Sequence, residues 1–193
     1  MSQIRRLGFE AADVRHIVLT HLDLDHAGGL SDFPTAQVHV LDVEHAAAMQ
    51  PRTVTEKHRY RPQQWEHQPR WAIHGVRGEP WMGFESVEAI GDALLVPLHG
   101  HTRGHAAVAV RTGYRWLLHC GDAYLFHAEV DQVPWCPLGL RAFQRLVAVD
   151  DDARRRNQAR LRELLRSHGS EVRLFCAHDP LELRRAIESP AAA

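Results

Sequence analysis

Val14-Arg15-His16-Ile17-Val18-Leu19-Thr20-His21-Leu22-Asp23-Leu24-Asp25-His26 is the stretch from which both fold and chemistry are read. Val14 to Thr20 is mostly apolar and β-branched, the composition of a buried strand. The six residues that follow crowd imidazoles and carboxylates against the end of that strand. Alternate residues of an extended segment point the same way, so His21 and Asp23 face one side. Asp25 and His26 enter a turn and face a neighbouring position. Such groups cannot be taken out of water together without a counter-charge, and a bound cation is the expected one. A lone histidine would carry no such meaning, since the chain has 15 of them and most are expected on the surface or in the core.

Three other places put metal-ligand residues beside strand ends. His105 closes Leu98-His99-Gly100-His101-Thr102-Arg103-Gly104-His105, just before a strand. Asp122 follows Cys120-Gly121 at the end of another. His178 stands in Cys176-Ala177-His178-Asp179-Pro180, between a strand and a helix. Loops at strand ends are where frames of this kind build their sites. Two divalent ions about 3.5–4 Å apart share a hydroxide that is nucleophilic at neutral pH. Neutral imidazoles hold such ions, carboxylates offset their charge and bridge them, and an acid or base assists the leaving group.

The rest of the chain supplies a layered frame. Strands are predicted at Ala36–Leu41, Ala93–Leu98, Ala106–Thr112, Arg115–His119 and Val172–Cys176, with Gly113-Tyr114 turning a hairpin. Helices are predicted at Val43–Met49 with Asp42 as cap, at Ala153–His168 capped by Asp151 or Asp152, and at Pro180–Glu188. Residues 2–8 fit the end of a further helix. Residues 50–84 lack periodicity and are expected as a long excursion or cap over the site. Its arginines suggest a pocket for an anion. The plainer expectation is a solvated loop with tryptophans packed on the core. The mixture indicates one α/β or α+β domain over residues 1–193.

Composition narrows the function. A formal net charge of −1 provides no field for nucleic acid or an anionic membrane. No apolar run approaches the roughly 18 residues of a bilayer span. The first residues lead into polar sequence and not into a signal-peptide core, so the cytoplasm is the expected location. Three cysteines, Cys120, Cys136 and Cys176, are expected as reduced thiols. A small-molecule substrate is the expected partner.

At these motifs the sequence resembles the metallo-β-lactamase-fold superfamily, whose signature is Thr-His-x-His-x-Asp-His-x-x-Gly. Here that run reads Thr20-His21-Leu22-Asp23-Leu24-Asp25-His26-Ala27-Gly28-Gly29. A second signature, Gly-His-Thr-x-Gly-His, stands at Gly100 to His105. The resemblance implies an αββα sandwich and two divalent ions, zinc first. It implies that His21, position 23 and His105 hold one ion, that Asp25, His26 and His178 hold the other, and that Asp122 bridges them. His101 is assigned a structural role. The implied reaction is hydrolysis of a small ester or lactone by the shared hydroxide, with Asp25 relaying a proton to the leaving alkoxide. Tyr124 is the candidate to polarise the carbonyl, or else a packed aromatic. A glyoxalase II-like thioesterase, or a metal-binding paralogue without activity, are the alternatives.

Two departures accompany the resemblance. Asp23 replaces the usual second histidine, ligating directly or through water. As a harder oxygen donor it leans toward manganese or iron. Only about a dozen residues precede the Val14–Thr20 strand, so the sandwich is expected to lack its first N-terminal strands. The open sheet edge left behind makes a homodimer an expectation to test.

Overall fold

Alternation along the strands divides the core into layers. The computed structural model describes residues 2–188. Strands β1 (His16–Val18), β2 (Gln37–Leu41) and β3 (Arg70–His74) form a parallel sheet in that order. A second, six-stranded sheet contains β4 (Glu79–Trp81), β5 (Phe84–Ile90), β6 (Ala93–Pro97), β7 (Ala106–Thr112), β8 (Arg115–His119) and β9 (Val172–Phe175). It is antiparallel as far as β8, and β9 adds in parallel. The helices are α1 (Ser2–Arg6), α2 (Leu24–Ala27), α3 (Asp42–Met49), α4 (Val54–Arg59), α5 (Leu138–Val147), α6 (Asp151–His168) and α7 (Pro180–Glu188).

Successive side chains of a strand leave on opposite faces. Leu95 of β6 and Ala106 and Val108 of β7 pack with Leu41 and Val18 of the first sheet, filling the space between sheets. Val96, Ala107 and Ala109 point the other way and meet Leu161 and Leu164 of α6. On the far side of the first sheet, Val38 and Val40 of β2 pack with Ala47 and Ala48 of α3. The order helix, sheet, sheet, helix is the αββα arrangement of an α+β fold. Burying a leucine as completely as Leu161 contributes about 1.5–3 kcal/mol. No described helix is long and apolar enough to cross a membrane.

The structure adds elements that the apolar spacing does not predict. The 50–84 segment holds α4, a 3-10 turn at Pro62–Trp65, β3, β4 and the first residue of β5. Trp65 and Trp71 pack on the first core layer and Trp81 lies in the second, so the tryptophans are core residues. Two of its arginines are engaged within the fold: Arg59 turns inward to Asp23 and Arg70 donates to the Thr35 carbonyl. Two caps also differ. Leu41 holds the cap position of α3, with Asp42 inside its first turn. Asp150 caps α6, its carboxylate accepting from the Ala153 N–H at 2.8 Å.

Candidate metal centre

Four loops leave the same end of the sandwich, and hydrogen bonds tie them together. After β1, Leu19 and Leu22 turn into the core beneath α3. His21 and Asp23 therefore share the opposite side. Asp23 occupies the cap position of α2, but its carboxylate makes no cap hydrogen bond and faces the cluster. The Ala106 N–H donates to the Thr20 carbonyl, which sets the 98–105 loop beside His21. The Cys120 N–H donates to Phe175 and the Ala177 N–H to Gly121, so the parallel ends of β8 and β9 deliver Asp122 and His178 side by side.

The carboxylate of Asp122 divides the cluster in two. Its Oδ2 lies 3.3 Å from His101 Nε2 and 3.9 Å from His21 Nε2. Its Oδ1 lies 3.4 Å from His26 Nε2 and 3.3 Å from His178 Nε2. Asp23 Oδ2 completes the first group, 3.5 Å from His21 Nε2 and 3.0 Å from His101 Nε2. Asp25 Oδ2 completes the second, 3.6 Å from His26 Nε2 and 3.5 Å from His178 Nε2. His21, Asp23 and His101 could hold one ion, and Asp25, His26 and His178 another.

Two expected residues are not in the cluster. His105 is fully buried, 5.0 Å from the His21 ring between centroids. Its Nε2 accepts the Asp122 N–H at 2.9 Å, so its Nδ1 carries the proton and donates to the Leu98 carbonyl at 3.1 Å. Gly121 makes this closure available. Its φ is +52°, and a Cβ there would stand 2.6 Å from His105 Nε2. His101, expected to be structural, presents its Nε2 to Asp23 and Asp122 instead. In this arrangement the Nε2 of His101 faces two carboxylates, while that of His105 faces the Asp122 N–H. Tyr124 is the second. Its ring lies in the core layer under α6, and its hydroxyl donates to Glu182 of α7 at 3.0 Å. A buried, occupied hydroxyl cannot reach a substrate carbonyl.

Arg59 of α4 is the neighbour that sequence reading missed. Its Nη1 lies 3.2 Å from Asp23 Oδ2 and donates to the His101 carbonyl, and its Nη2 donates to the Val147 carbonyl. The signal for its helix is present as Thr53-Val54-Thr55-Glu56. The Thr53 hydroxyl accepts the Glu56 N–H, and the Glu56 carboxylate accepts the Thr53 N–H, a capping box.

Electrostatics prepare the donors for a cation. Burial opposes ionisation of Asp23, but the hydrogen bond from His101, the nearby His21 imidazole and the charge of Arg59 hold its pKa far below the ordinary range. Asp122 behaves likewise, through His178, His21 and His101. Burial, reinforced by the charge of His21, brings His26 down to about 4. Burial also works against a proton on His21, but Asp23, Asp122 and Glu44 outweigh it and raise its pKa.

A divalent ion fits this donor set. The buried atoms His21 Nε2, His26 Nε2, Asp23 Oδ1 and Asp122 Oδ1 have no hydrogen-bond partner among the described residues. Buried polar atoms left without partners are rare unless a ligand supplies one. Imidazole and carboxylate together suit zinc, manganese or iron.

A layered αββα frame with a cluster of histidines and aspartates at its strand ends is the architecture that comparison with known proteins finds again. Residues 1–178 match the Metallo-beta-lactamase superfamily, and the chain belongs to it. It is 48% identical over 182 residues to the probable metallo-hydrolase Rv2300c of Mycobacterium tuberculosis, covering 92% of this chain and 59% of that protein. It is 30% identical over 114 residues to the N-acyl homoserine lactonase AttM of Agrobacterium fabrum, covering 58% and 41%. A crystal structure of AiiA from B. thuringiensis with N-decanoyl-L-homoserine at the active site superposes with a TM-score of 0.68 at 20% identity, over 94% of this chain and 62% of that one. The chain thus spans 59% of the length of the Mycobacterium relative.

Proposed function

We propose that this chain carries a dinuclear, metal-dependent hydrolase site for a small ester or lactone. The observation that carries the reading is the split carboxylate of Asp122, one oxygen toward each group, with unpartnered buried atoms on both sides. In this reading His21, Asp23 and His101 hold one ion, Asp25, His26 and His178 hold the other, and Asp122 lies between. Zinc is the favoured ion for a set rich in imidazole. The lactonase name of AttM supports a lactone among the substrates.

When bound, the two ions supply Lewis acidity toward a carbonyl and a water made nucleophilic at neutral pH. The chain's own residues supply the rest. His26 is held neutral, ready to donate a lone pair without first releasing a proton. Asp25 is the exposed carboxylate of the cluster, with its side chain 62% accessible. It is placed to carry a proton to a departing alkoxide on the solvent side. Arg59 keeps the first group from accumulating negative charge. Tyr124 takes no part.

Elemental analysis of the purified protein, with turnover on a panel of lactones, aryl esters and thioesters, tests the reading. Two ions per chain are expected, with lactone or ester turnover that Asp122→Ala abolishes along with at least one ion. A folded protein that stays metal-free after reconstitution overturns the site. A metal-loaded protein that is inert on the whole panel overturns the enzyme.

A further inference from the structure

Glu44 lies on α3, outside every motif of the sequence, yet it is fully buried. Its Oε1 accepts the Leu22 N–H at 2.9 Å and the Tyr60 hydroxyl at 3.1 Å. Its Oε2 accepts the Thr102 hydroxyl at 2.7 Å and the Gly104 N–H at 3.0 Å. Leu22 sits between His21 and Asp23, while Thr102 follows His101. One side chain therefore grips both loops that form the first group. The grip needs a carboxylate. Leu22 and Gly104 each offer a backbone N–H, which can only donate, and they address different oxygens. The loop is shaped to receive it, since a Cβ on Gly104 would stand 2.1 Å from the Glu44 backbone nitrogen.

We propose that Glu44 is the positioning residue of the first metal group, holding His21 and Asp23 against His101 at the spacing one ion requires. The proposal rests on the metal-centre reading above. Glu44 touches neither ion nor substrate; it acts by fixing the backbone from which the three donors project. Groups that orient metal ligands in this way are worth about 10–100-fold in metal affinity. In the second group, His178 hangs on other supports. The Asp179 carboxylate accepts from the His127 and Leu181 N–H groups, and Glu182 accepts the Cys176 N–H. Loosening Glu44 is therefore expected to affect the first ion, which loses the anchor of both its loops, more than the second, which keeps the His178 support.

Glu44→Gln keeps the shape but puts an NH2 where one oxygen was. That donor must face either the Leu22 or the Gly104 N–H, so one loop is released. Competition with a chromophoric chelator then reads two ions for the natural protein. For Glu44→Gln it is expected to read one ion weakened by at least ~10-fold and the other weakened clearly less. Cobalt-substituted samples are expected to lose part of their visible absorption in the same variant. Thr102→Val removes a single strut and covers the case in which Glu44→Gln does not fold; a smaller loss confined to the same ion is expected. Tyr60→Phe leaves both loop donors in place and is expected to keep both ions at full affinity. Two tight ions and an unchanged cobalt spectrum in both Glu44→Gln and Thr102→Val overturn the proposal while leaving the metal centre standing. Equal weakening of both ions also overturns it. A natural protein that binds no ion overturns the metal centre and this inference together.

Discussion

The two halves of the cluster use similar residues in opposite surroundings. In the first group, the side chains of His21, Asp23 and His101 are 0%, 15% and 7% accessible. Each is also backed by a partner. The Thr20 hydroxyl meets His21 Nδ1 at 2.9 Å, Arg59 meets Asp23, and the His101 carbonyl receives Arg59. In the second group, Asp25 and His178 are 62% and 42% accessible, and only His26 is sheltered. A site whose ligands are preorganised and dry holds its ion more tightly than one whose ligands must be ordered on binding. On the proposed function, the difference predicts retention by the first group and exchange, together with substrate access, at the second.

The largest expected effect separates the groups directly. His101→Ala should remove the buried ion and lower turnover by ~10³-fold or more, without recovery in added metal. His178→Ala should keep that ion, lose the exposed one, and regain activity as zinc is titrated in. Steady-state rates across a metal titration, with elemental analysis, check both. Rescue of His101→Ala and not of His178→Ala would invert the comparison.

Next comes the support behind Asp23. Removing one member of a buried ion pair leaves the other charge uncompensated and costs about 3 kcal/mol. Arg59→Met should therefore lower the Tm of metal-free protein by roughly 10 °C. The loss should shrink once metal is added, because a cation then answers Asp23 in place of the guanidinium. Scanning calorimetry with and without zinc reads the difference. Equal losses in both samples would mean that Arg59 only packs α4 and does not serve the first group.

Acid should weaken the metal-free protein through the histidines that burial keeps neutral. His26 is lowered to about 4, and His101, His105 and His119 are lowered as well. Between those folded values and about 6.5, the unfolded chain binds more protons than the folded one, so stability falls as pH falls. His21 and His178 are raised and work the other way, adding stability below about 6.5 that is lost as pH rises through their folded values. The lowered set is larger. A Tm decrease of ~5 °C or more from pH 7 to pH 5 is expected in chelator. A flat or rising profile would show that the raised pair dominates.

The sequence made the second group easier to read than the first. Asp25, His26, Asp122 and His178 come together in the fold, each soon after a strand that its apolar, β-branched run marks out. Strands Ala106–Thr112 and Arg115–His119 and helix Pro180–Glu188 match their predicted bounds for the same reason. The first group depends on long-range closure. Gly100 to His105 holds two histidines, of which the sequence favours His105, whereas the folded loop turns the Nε2 of His101 toward the carboxylates and that of His105 toward the Asp122 N–H, brought round by Gly121. Glu44 and Arg59 reach the cluster from helices that carry no motif. Helix α5 escaped for a different reason. Leu138, Phe143 and Leu146 are exposed, so its apolar residues do not face the core, and Gly139 weakens the local helical signal.

Tyr124 gives the smallest effect and separates a sequence expectation from its structural outcome. As an oxyanion donor its hydroxyl would be worth about 10²-fold or more in kcat. As the structure has it, the hydroxyl serves Glu182, which also receives the Cys176 N–H and so steadies the loop before His178. Tyr124→Phe deletes one hydrogen bond and no packing volume. It should cost about 1 kcal/mol of stability and leave kcat within about twofold. Any slackening of the His178 loop should appear as weaker binding of the exposed ion only. A large fall in kcat with both ions in place would return Tyr124 to the chemistry, and with it the view that the open half of the cluster ends at the core.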